Sequence, residues 1–428
     1  MLRYGLKYHN IIICDKINWV YISYIGALRF MKKKVLIMTQ NFYPVIGSAG
    51  NRMKNIYQLL NEFDIDADVL TTEPAYPNKN LYKDRSFWDD ESLNLETKKV
   101  FRVPIKNKKF SNHIVSRLYF YIEIMWRFLI KLWQIRKENY DYIMVSTPPI
   151  FIVFSALIGK LFLKSKLILE VRDLWPDSLV GVKTFDNSFI LKVFRILEKR
   201  MYGAADHIVI NSKGFESHIR SKLKKDTPII YLPNGPRDHE IVRSKTYEGE
   251  FRVVYTGNLG LAQDIDHLKL IASALQAEGI RFDVIGYGIK TEEFMSYIEE
   301  QQLDHVYMHQ PTTRKRSLAL IENSNIAVAF LNDEDVFSTV LPGKIIDYMT
   351  CRTPIVAGIK GTAAQIITNS GAGFVFEQQD IQGMIEKIVE LKNNPEELER
   401  IGENGARTVQ DVFLWENNIS ELVKIINE

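Results

Sequence analysis

The sequence contains almost no cysteine, and this scarcity excludes the small folds that disulfides or zinc hold together. Only Cys14 and Cys351 are present among 428 residues. They stand far apart, so they form neither a disulfide framework nor the paired spacing of a zinc site. We therefore expect a protein that folds around its own hydrophobic cores in a reducing cytoplasm, and we predict no metal and no cofactor.

A strong charge bias is also missing. The 55 basic and 52 acidic residues leave a net charge of +3, which is too small to indicate nucleic acid as a partner. Hydrophobic residues make up 46% of the chain and charged residues 25%, the proportions of a globular protein with large cores. A chain of this length is expected to form two or three domains.

The amino-terminal segment lacks a long uninterrupted apolar run. Its apolar stretches at 11–13 and 19–22 are separated by charged and polar residues, and no small-residue cleavage site follows. Residues 1–30 are therefore a poor signal peptide and a poor membrane span. We expect Met31, which precedes three lysines and an apolar strand, to be the functional start. The alternative is a genuine extension that lies against a membrane.

Strands and helices alternate from Met31 onward. A strand at 35–39 leads into a turn that contains Gly47 and Gly50, and a helix follows at about 51–63. A strand, a glycine-bearing turn and a helix form the first unit of a doubly wound sheet. The turn is not G-x-G-x-x-G and no acidic residue closes the next strand, so a nicotinamide dinucleotide is a weak interpretation.

The same architecture returns later in the chain. A strand at 251–255 runs into a second glycine loop, and the strand at 282–285 ends in Gly286. The residues of these two turns that could approach a ligand are Gly257, Asn258, Gly260 and Gly286. We predict an α/β fold of two Rossmann-like, doubly wound domains that face each other across a cleft. Their expected bounds are 31–235 and 236–410, with a carboxy-terminal helix at 411–428.

An acidic run at 64–68 resembles a metal-binding sequence. It lies between a helix and the next strand, which places it at the amino edge of the sheet. Ligands of open α/β sheets bind at the opposite edge. We therefore interpret the run as a solvated turn.

The stretch Val340–Met349 is the strongest candidate for a ligand site. Pro342 and Gly343 stand where a helix would begin, and free backbone N–H groups there would join the Lys344 ammonium in binding a phosphate or diphosphate. Asp347, one turn further on, offers two acceptor oxygens that suit the hydroxyls of a ribose. The alternative is an ordinary helix with a solvated lysine and aspartate.

A second candidate follows the strand at 166–171. Arg172 and Asp173 place a cation beside a carboxylate at a carboxyl strand edge, where both could act on a ligand in the crevice. The alternative is a buried pair that ties a loop.

The segment 110–137 is unusually rich in large apolar side chains. Trp126, Trp133 and their neighbours form a wide apolar helix face, and lysines and arginines flank it. Aromatic residues with cationic flanks are typical of a helix that enters the surface of an anionic membrane. The alternative is a helix buried between the sheet and its neighbours.

The chain from about Lys34 to Glu428 resembles the retaining glycosyltransferases of family 4, which have the two-domain GT-B fold. The resemblance depends on the glycine loop at 47–50, the segment Tyr255–Gly260 and the Pro-x-Lys-x-x-acid-Tyr-Met pattern at 342–349. The segments 146–149 and 170–178 further resemble a branch that builds bacterial surface polysaccharides and includes fucosamine-type aminosugar transferases.

The resemblance implies a metal-independent transferase that moves a sugar, possibly an aminosugar, with retention. Its donor would be a UDP-sugar and its acceptor a polyprenyl diphosphate-linked saccharide of O-antigen, capsule or exopolysaccharide synthesis. The enzyme would be cytoplasmic and peripheral on the inner face of the cytoplasmic membrane. The implied donor-binding residues are Gly47, Gly50, Gly257, Asn258, Gly260, Gly286, Pro342, Gly343, Lys344 and Asp347, and the implied catalytic residues are Arg172, Asp173 and Lys344.

The sequence departs from the family pattern at two places. The family commonly carries two glutamates eight positions apart, but here Thr339 stands at the first position and Asp347 at the second. Cations often found after the second glycine loop are replaced by Asn258 and Gln263. Asp173, Ser338 and Thr339 are candidates for polar contacts to the sugar. A nucleotide-sugar epimerase of the same fold and a non-catalytic partner in a polysaccharide assembly complex are the alternatives.

Overall fold

The computed structural model describes residues 32–96, 98–106, 114–181, 188–247, 249–260 and 263–428. The extension considered at 1–30, the expected start at Met31 and residues 110–113 at the beginning of the aromatic segment lie outside the described residues.

The first domain is built on a parallel sheet of seven strands. They are β1 (Lys34–Met38), β2 (Asp66–Thr72), β3 (Val100–Val103), β4 (Tyr142–Thr147), β5 (Lys166–Val171), β6 (His207–Ile210) and β7 (Ile229–Tyr231), in the spatial order β3-β2-β1-β4-β5-β6-β7. Helices cover both faces of the sheet, so consecutive strand residues such as Leu36 and Ile37 are both fully buried. A sheet buried on both faces requires such continuous apolar runs.

Seven helices belong to this domain. They are α1 (Ser48–Glu62), α2 (Glu91–Leu95), α3 (Ile114–Gln134), α4 (Ile150–Leu163), α5 (Asp177–Gly181), α6 (Ser188–Ala204) and α7 (Glu216–Lys222), counted within the described ranges. The first of them begins where the sequence predicts a glycine-bearing turn, since Gly47 precedes it with a φ of 96°. This backbone conformation favours glycine because it has no Cβ.

The second domain repeats the plan with six parallel strands. They are β8 (Arg252–Asn258), β9 (Arg281–Tyr287), β10 (Val306–His309), β11 (Ile326–Phe330), β12 (Ile355–Gly358) and β13 (Gly373–Phe376), in the order β10-β9-β8-β11-β12-β13. Its helices are α8 (Ile265–Ala277), α9 (Thr291–Glu300), α10 (Arg314–Glu322), α11 (Asp335–Ser338), α12 (Gly343–Thr350), α13 (Thr362–Ser370), α14 (Ile381–Lys392) and α15 (Pro395–Thr408). The two sheets confirm the predicted pair of doubly wound domains.

A further helix, α16 (Trp415–Asn427), lies against the first domain. Trp415, Ile419, Leu422 and Ile426 share a buried cluster with α1 and the first sheet. Burial of each such side chain contributes about 1.5–3 kcal/mol. The helix therefore supplies part of the first domain's core.

The interpretation of the acidic run at 64–68 as a solvated turn is wrong for Asp68. This residue lies within β2, is 6% exposed and accepts a 2.6 Å hydrogen bond from the Tyr140 hydroxyl. Asp66 at the beginning of the strand is partly exposed and pairs with Lys99 at 2.9 Å. Strand β2 begins at Asp66, within the acidic run, so Asp68 lies on the strand and not in the turn.

The aromatic segment forms α3, and its two faces differ. Phe120, Ile124, Phe128 and Leu132 point into the core of the first domain. The opposite side, which we call the outer face of α3, consists of Tyr119, Trp126, Ile130 and Trp133, all more than half exposed. The expected alternative of a fully buried helix therefore holds for only one face. Among the described residues, no helix is long and apolar enough to cross a bilayer.

Candidate active site

A cavity of about 1130 Å³ lies between the two domains. Eight of the predicted donor-binding residues line it: Gly47, Gly50, Gly257, Asn258, Pro342, Gly343, Lys344 and Asp347. Gly260 and Gly286 are not among the lining residues. Gly260 is partly exposed in the second glycine loop, whereas Gly286 is buried within β9 and packs against Leu259. The structure thus brings both glycine loops and the start of α12 to one space.

The start of α12 faces across the cavity toward the first domain. Pro342 is the residue before the helix, and no side chain of the described residues caps it. A Cβ at Gly343 would lie 3.4 Å from the Ser48 hydroxyl of α1. Uncapped backbone N–H groups at a helix start favour negative charge. The local geometry therefore suits an anionic group held between the domains.

Lys344 lies at this end of the cavity, and no carboxylate of the described residues pairs with it. Its ammonium donates to the amide oxygen of Gln263 at 2.8 Å and lies 4.0 Å from the centre of the Tyr255 ring. Gly257, with a φ of 143°, gives the ammonium room, since a Cβ there would lie 2.9 Å from the Lys344 nitrogen. Burial lowers the pKa of Lys344 to about 7, because the low-polarity surroundings disfavour the charged form.

Asp347 is engaged by an arginine that the sequence analysis did not identify. Arg314, at the start of α10, donates to Asp347 at 2.8 Å and to Glu240 at 2.6 Å, and all three line the cavity. Burial raises the pKa of Asp347, and Arg314 opposes that effect. Burial alone would lower the pKa of Arg314, but the two carboxylates outweigh it and raise the pKa. One oxygen of Asp347 thus has a protein partner, and the expectation that both are available to a ribose needs correction.

Arg172 and Asp173 do not line the cavity with Lys344. The Arg172 guanidinium donates to the Ser146 hydroxyl at 2.8 Å and to the Pro148 carbonyl at 2.9 Å. Burial raises the pKa of Asp173, and a hydrogen bond from Ser178 opposes that effect. The structure thus places these two residues in a loop of the first domain that is separate from the donor-binding set.

A contact between the domains lies on this side of the cleft. Helix α11 packs on α5, and the Ser212 hydroxyl donates to the Thr339 carbonyl at 2.5 Å. The Ser338 and Thr339 hydroxyls donate to backbone carbonyls three residues earlier, at 2.6 and 2.7 Å. Neither residue lines the cavity. Their hydroxyls therefore satisfy local backbone, and the structure does not direct them at the space beside Lys344.

The loop that carries Arg172 is held by a buried ion pair. Arg52 on α1 donates to Glu170 on β5 at 2.7 Å, with side chains that are 1% and 0% exposed. Arg172 lies 3.4 Å from the second oxygen of Glu170. Arg52 also donates to Asn234 at 3.2 Å and lies over the Trp415 ring. The pair with Glu170 therefore turns the Arg52 side chain into the protein, and Arg52 does not line the cavity.

Comparison with known proteins identifies both domains. Residues 47–235 match the model of the glycosyl transferase 4-like domain, and residues 236–408 match that of glycosyl transferases group 1. The probable glycosyltransferase WbjE of Pseudomonas aeruginosa is 23% identical over 68% of this chain and 76% of its own length. The capsular polysaccharide biosynthesis glycosyltransferase CapM of Staphylococcus aureus is 26% identical over 58% of this chain and 68% of its own.

Solved structures show the same fold. Sucrose-phosphate synthase from Thermosynechococcus elongatus superposes with a TM-score of 0.69 at 14% identity, over 92% of this chain and 98% of its own. Anabaena HepE, solved in complex with UDP-glucose, superposes with a TM-score of 0.66 at 12% identity, over 92% of this chain and 99% of its own. These neighbours and the two parallel sheets confirm the expected GT-B fold.

Proposed function

Because the chain is a glycosyltransferase of the GT-B fold, whose domains match the glycosyl transferase 4-like and group 1 families, we propose that it transfers a sugar from a UDP-sugar to a lipid-linked saccharide. The transfer proceeds with retention and belongs to the synthesis of a bacterial surface polysaccharide. The relative CapM, by its name a capsular polysaccharide enzyme, supports the pathway, and the UDP-glucose complex of HepE supports the donor class.

One observation carries the proposal. The Lys344 ammonium, the uncapped start of α12 and the Gly257 turn converge on the cavity between the domains, within reach of the Gly47 loop. Such donors stabilise the charge that develops on a departing diphosphate. The sugar then lies toward Gly47, and the ribose lies toward Asp347 and Arg314.

The reaction exchanges one bond at the anomeric carbon for another. The acceptor hydroxyl attacks the face from which the diphosphate departs, the bond from carbon to phosphate oxygen breaks, and the hydroxyl proton passes to the departing diphosphate. Lys344 and the backbone N–H groups at Gly343 hold the resulting negative charge in place. This arrangement requires neither a covalent carboxylate nor a metal ion to neutralise the diphosphate.

Asp173 and Arg172 belong to the acceptor side of the proposal. Their loop lies at the carboxyl edge of β5, outside the donor cavity. Asp173→Asn is expected to raise the acceptor KM at least tenfold while UDP affinity stays within twofold. Steady-state kinetics and calorimetry with UDP measure the two effects. An unchanged acceptor KM and kcat would assign Asp173 to loop structure, with Ser178 as its partner.

In this proposal, the outer face of α3 binds the membrane that holds the lipid-linked acceptor. Trp126 and Trp133 are 58% and 57% exposed, and Leu161 of the adjacent helix α4 extends the apolar area. Arg136 lies over the Trp133 ring at 4.3 Å, and Lys137 and Lys164 beside it are exposed. Exposed aromatic rings with adjacent cations suit an anionic membrane surface. We propose peripheral binding to the inner face of the cytoplasmic membrane.

Vesicle binding tests this surface. Trp126→Ser with Trp133→Ser is expected to reduce binding to phosphatidylglycerol vesicles at least tenfold. Leu270→Ser, which removes a similarly exposed apolar side chain from α8 of the second domain, is the control. Equal binding of the double variant and the control would contradict a membrane role for α3.

The function itself is tested by product formation. The purified protein is incubated with a panel of UDP-sugars and a bacterial lipid extract, and mass spectrometry detects UDP release together with a lipid whose mass has increased by one sugar. Conversion of a nucleotide sugar without lipid would indicate an epimerase. Absence of any lipid-dependent UDP release across the panel would contradict the proposal.

A further inference from the structure

The partner of the partly buried Lys344 ammonium is a neutral side chain, Gln263, where a lysine commonly has a carboxylate. Gln263 follows the second glycine loop and precedes α8. Its amide oxygen accepts the Lys344 ammonium at 2.8 Å and the Tyr255 hydroxyl at 3.0 Å. Two donors converge on one atom, so the oxygen and not the NH₂ group must face the lysine.

Among the described residues, none of the carboxylates that line the cavity pairs with this lysine. Asp347, one turn along α12, is paired with Arg314 of α10, which also pairs with Glu240, a residue that precedes β8. Two other carboxylates that line the cavity are likewise paired, Asp90 with Lys54 and Glu62 with Arg237. Tyr255 of β8 faces the ammonium with its ring, and burial holds its pKa well above the ordinary value, so it stays neutral. Within the described residues, Lys344 forms no ion pair.

A neutral acceptor has a consequence that a carboxylate would not have. A carboxylate at this position would neutralise the ammonium and repel an incoming diphosphate. An apolar side chain would leave a buried ammonium without this acceptor, which favours loss of its proton. An amide oxygen accepts a hydrogen bond from the ammonium but carries no formal charge, so it does not neutralise the positive charge of the lysine.

We propose that Gln263 is a positioning residue, which holds the Lys344 ammonium beside Gly257 and keeps its charge available for a diphosphate. The inference rests on the proposed function for the identity of the ligand, but the contact can be tested without any ligand. When the diphosphate binds, it replaces or shares the amide oxygen as partner of the ammonium. Tyr255 keeps the Gln263 side chain in place during that exchange.

The ligand-free test follows the titration of Lys344 by NMR in protein labelled with ¹³C-lysine, and Lys344→Ala identifies its signal. Gln263→Glu is expected to shift the titration midpoint upward by at least one pH unit, and Gln263→Leu is expected to shift it downward. Gln365→Glu, an exposed position on α13, is the matched control and should leave it unchanged. Shifts of both Gln263 variants in one direction, or no shift in either, would overturn the proposal.

Binding of UDP gives the functional consequence in the same proteins. Calorimetry between pH 6 and 9 should show affinity that falls about tenfold per pH unit once the wild-type lysine loses its proton. At pH 6, Gln263→Glu should bind UDP at least tenfold more weakly than wild type, whereas Gln263→Leu should show its largest loss at pH 8. The terminal phosphate of UDP titrates identically with every protein, so differences between variants report on the site.

The two experiments separate the inference from the function on which it rests. Opposite NMR shifts with no binding of UDP to the wild type would support the role of Gln263 and contradict a UDP donor. UDP binding with coincident titrations of all the proteins would support the donor and overturn the role of Gln263. Thermal unfolding of each variant, compared with wild type, establishes that the folded protein is measured.

Discussion

Arg52, which is fully buried, and Lys344, which is partly buried in the cavity wall, are both cations near the ligand edge of their domains, but their partners differ. Arg52 on α1 faces Glu170, a carboxylate with no exposed surface. Lys344 on α12 faces the neutral amide of Gln263 and a tyrosine ring. A buried cation with a carboxylate is already neutralised, and its role is to hold the surrounding elements together. A buried cation on a neutral partner retains its charge for a ligand.

The comparison predicts that loss of Arg52 mainly affects stability. Arg52→Met removes the closer of the two cations beside the buried Glu170, since Arg172 remains at 3.4 Å, and should lower the free energy of unfolding by about 3–5 kcal/mol. Denaturant unfolding measures this. Arg220→Met, which breaks the exposed pair with Glu216 on α7, is the control and should cost less than about 1 kcal/mol. Similar losses of unfolding free energy for the two variants would show that the buried pair contributes no more to stability than the exposed pair.

Loss of Lys344 should mainly affect catalysis. Lys344→Ala removes a donor to the departing diphosphate and is expected to lower kcat/KM about 10²–10³-fold. The free energy of unfolding should change little, because no carboxylate is left unpaired. Lys392→Ala, on the exposed side of α14, should leave turnover unchanged. Wild-type turnover in Lys344→Ala would break the comparison and remove the proposed mechanism.

Asp347 provides an intermediate case, since its carboxylate has both a protein partner and a place in the cavity. Asp347→Asn should raise the KM for the donor about tenfold, as expected when one hydrogen bond to a charged group is lost. The double-variant cycle with Arg314→Gln measures how far the arginine acts through Asp347. Additive effects of the two changes would show that the ion pair has no part in donor binding.

Thr339 should give the smallest effect. Its hydroxyl donates to a carbonyl of its own turn, and its carbonyl is the group that contacts the first domain. Thr339→Ala is therefore expected to change kcat/KM less than threefold in steady-state assays. A loss of tenfold or more would show that the hydroxyl reaches the donor sugar after all.

The fold was largely accessible from the sequence, because apolar strand runs and glycine turns are local signals. The positions of Lys344 and Asp347 at a helix start were likewise encoded in neighbouring residues, beginning with Pro342. The pairing of Asp347 with Arg314 could not be predicted from neighbouring residues. These residues lie 33 positions apart, with strand β11 and helix α11 between them along the chain, and no periodic pattern records such a contact.

The buried pair of Arg52 with Glu170 was missed for the same reason. It joins α1 to β5 across 118 positions. Neither residue has neighbours in the sequence that distinguish it from an ordinary charged side chain. The placement of Arg172 and Asp173 outside the donor cavity is a property of the assembled fold, and no local pattern in the sequence records it. Sequence reasoning identified the edge of the sheet correctly but could not determine which residues of that edge share one space.

The position of α16 has a consequence for synthesis of the protein. The buried cluster that contains β1 is completed by residues of α16, namely Trp415, Ile419, Leu422 and Ile426. The core of the first domain therefore cannot form fully until these late residues have been synthesised. Until then the nascent first domain presents an uncovered apolar surface over α1. A chain that ends before residue 415 is therefore expected to keep this apolar surface exposed.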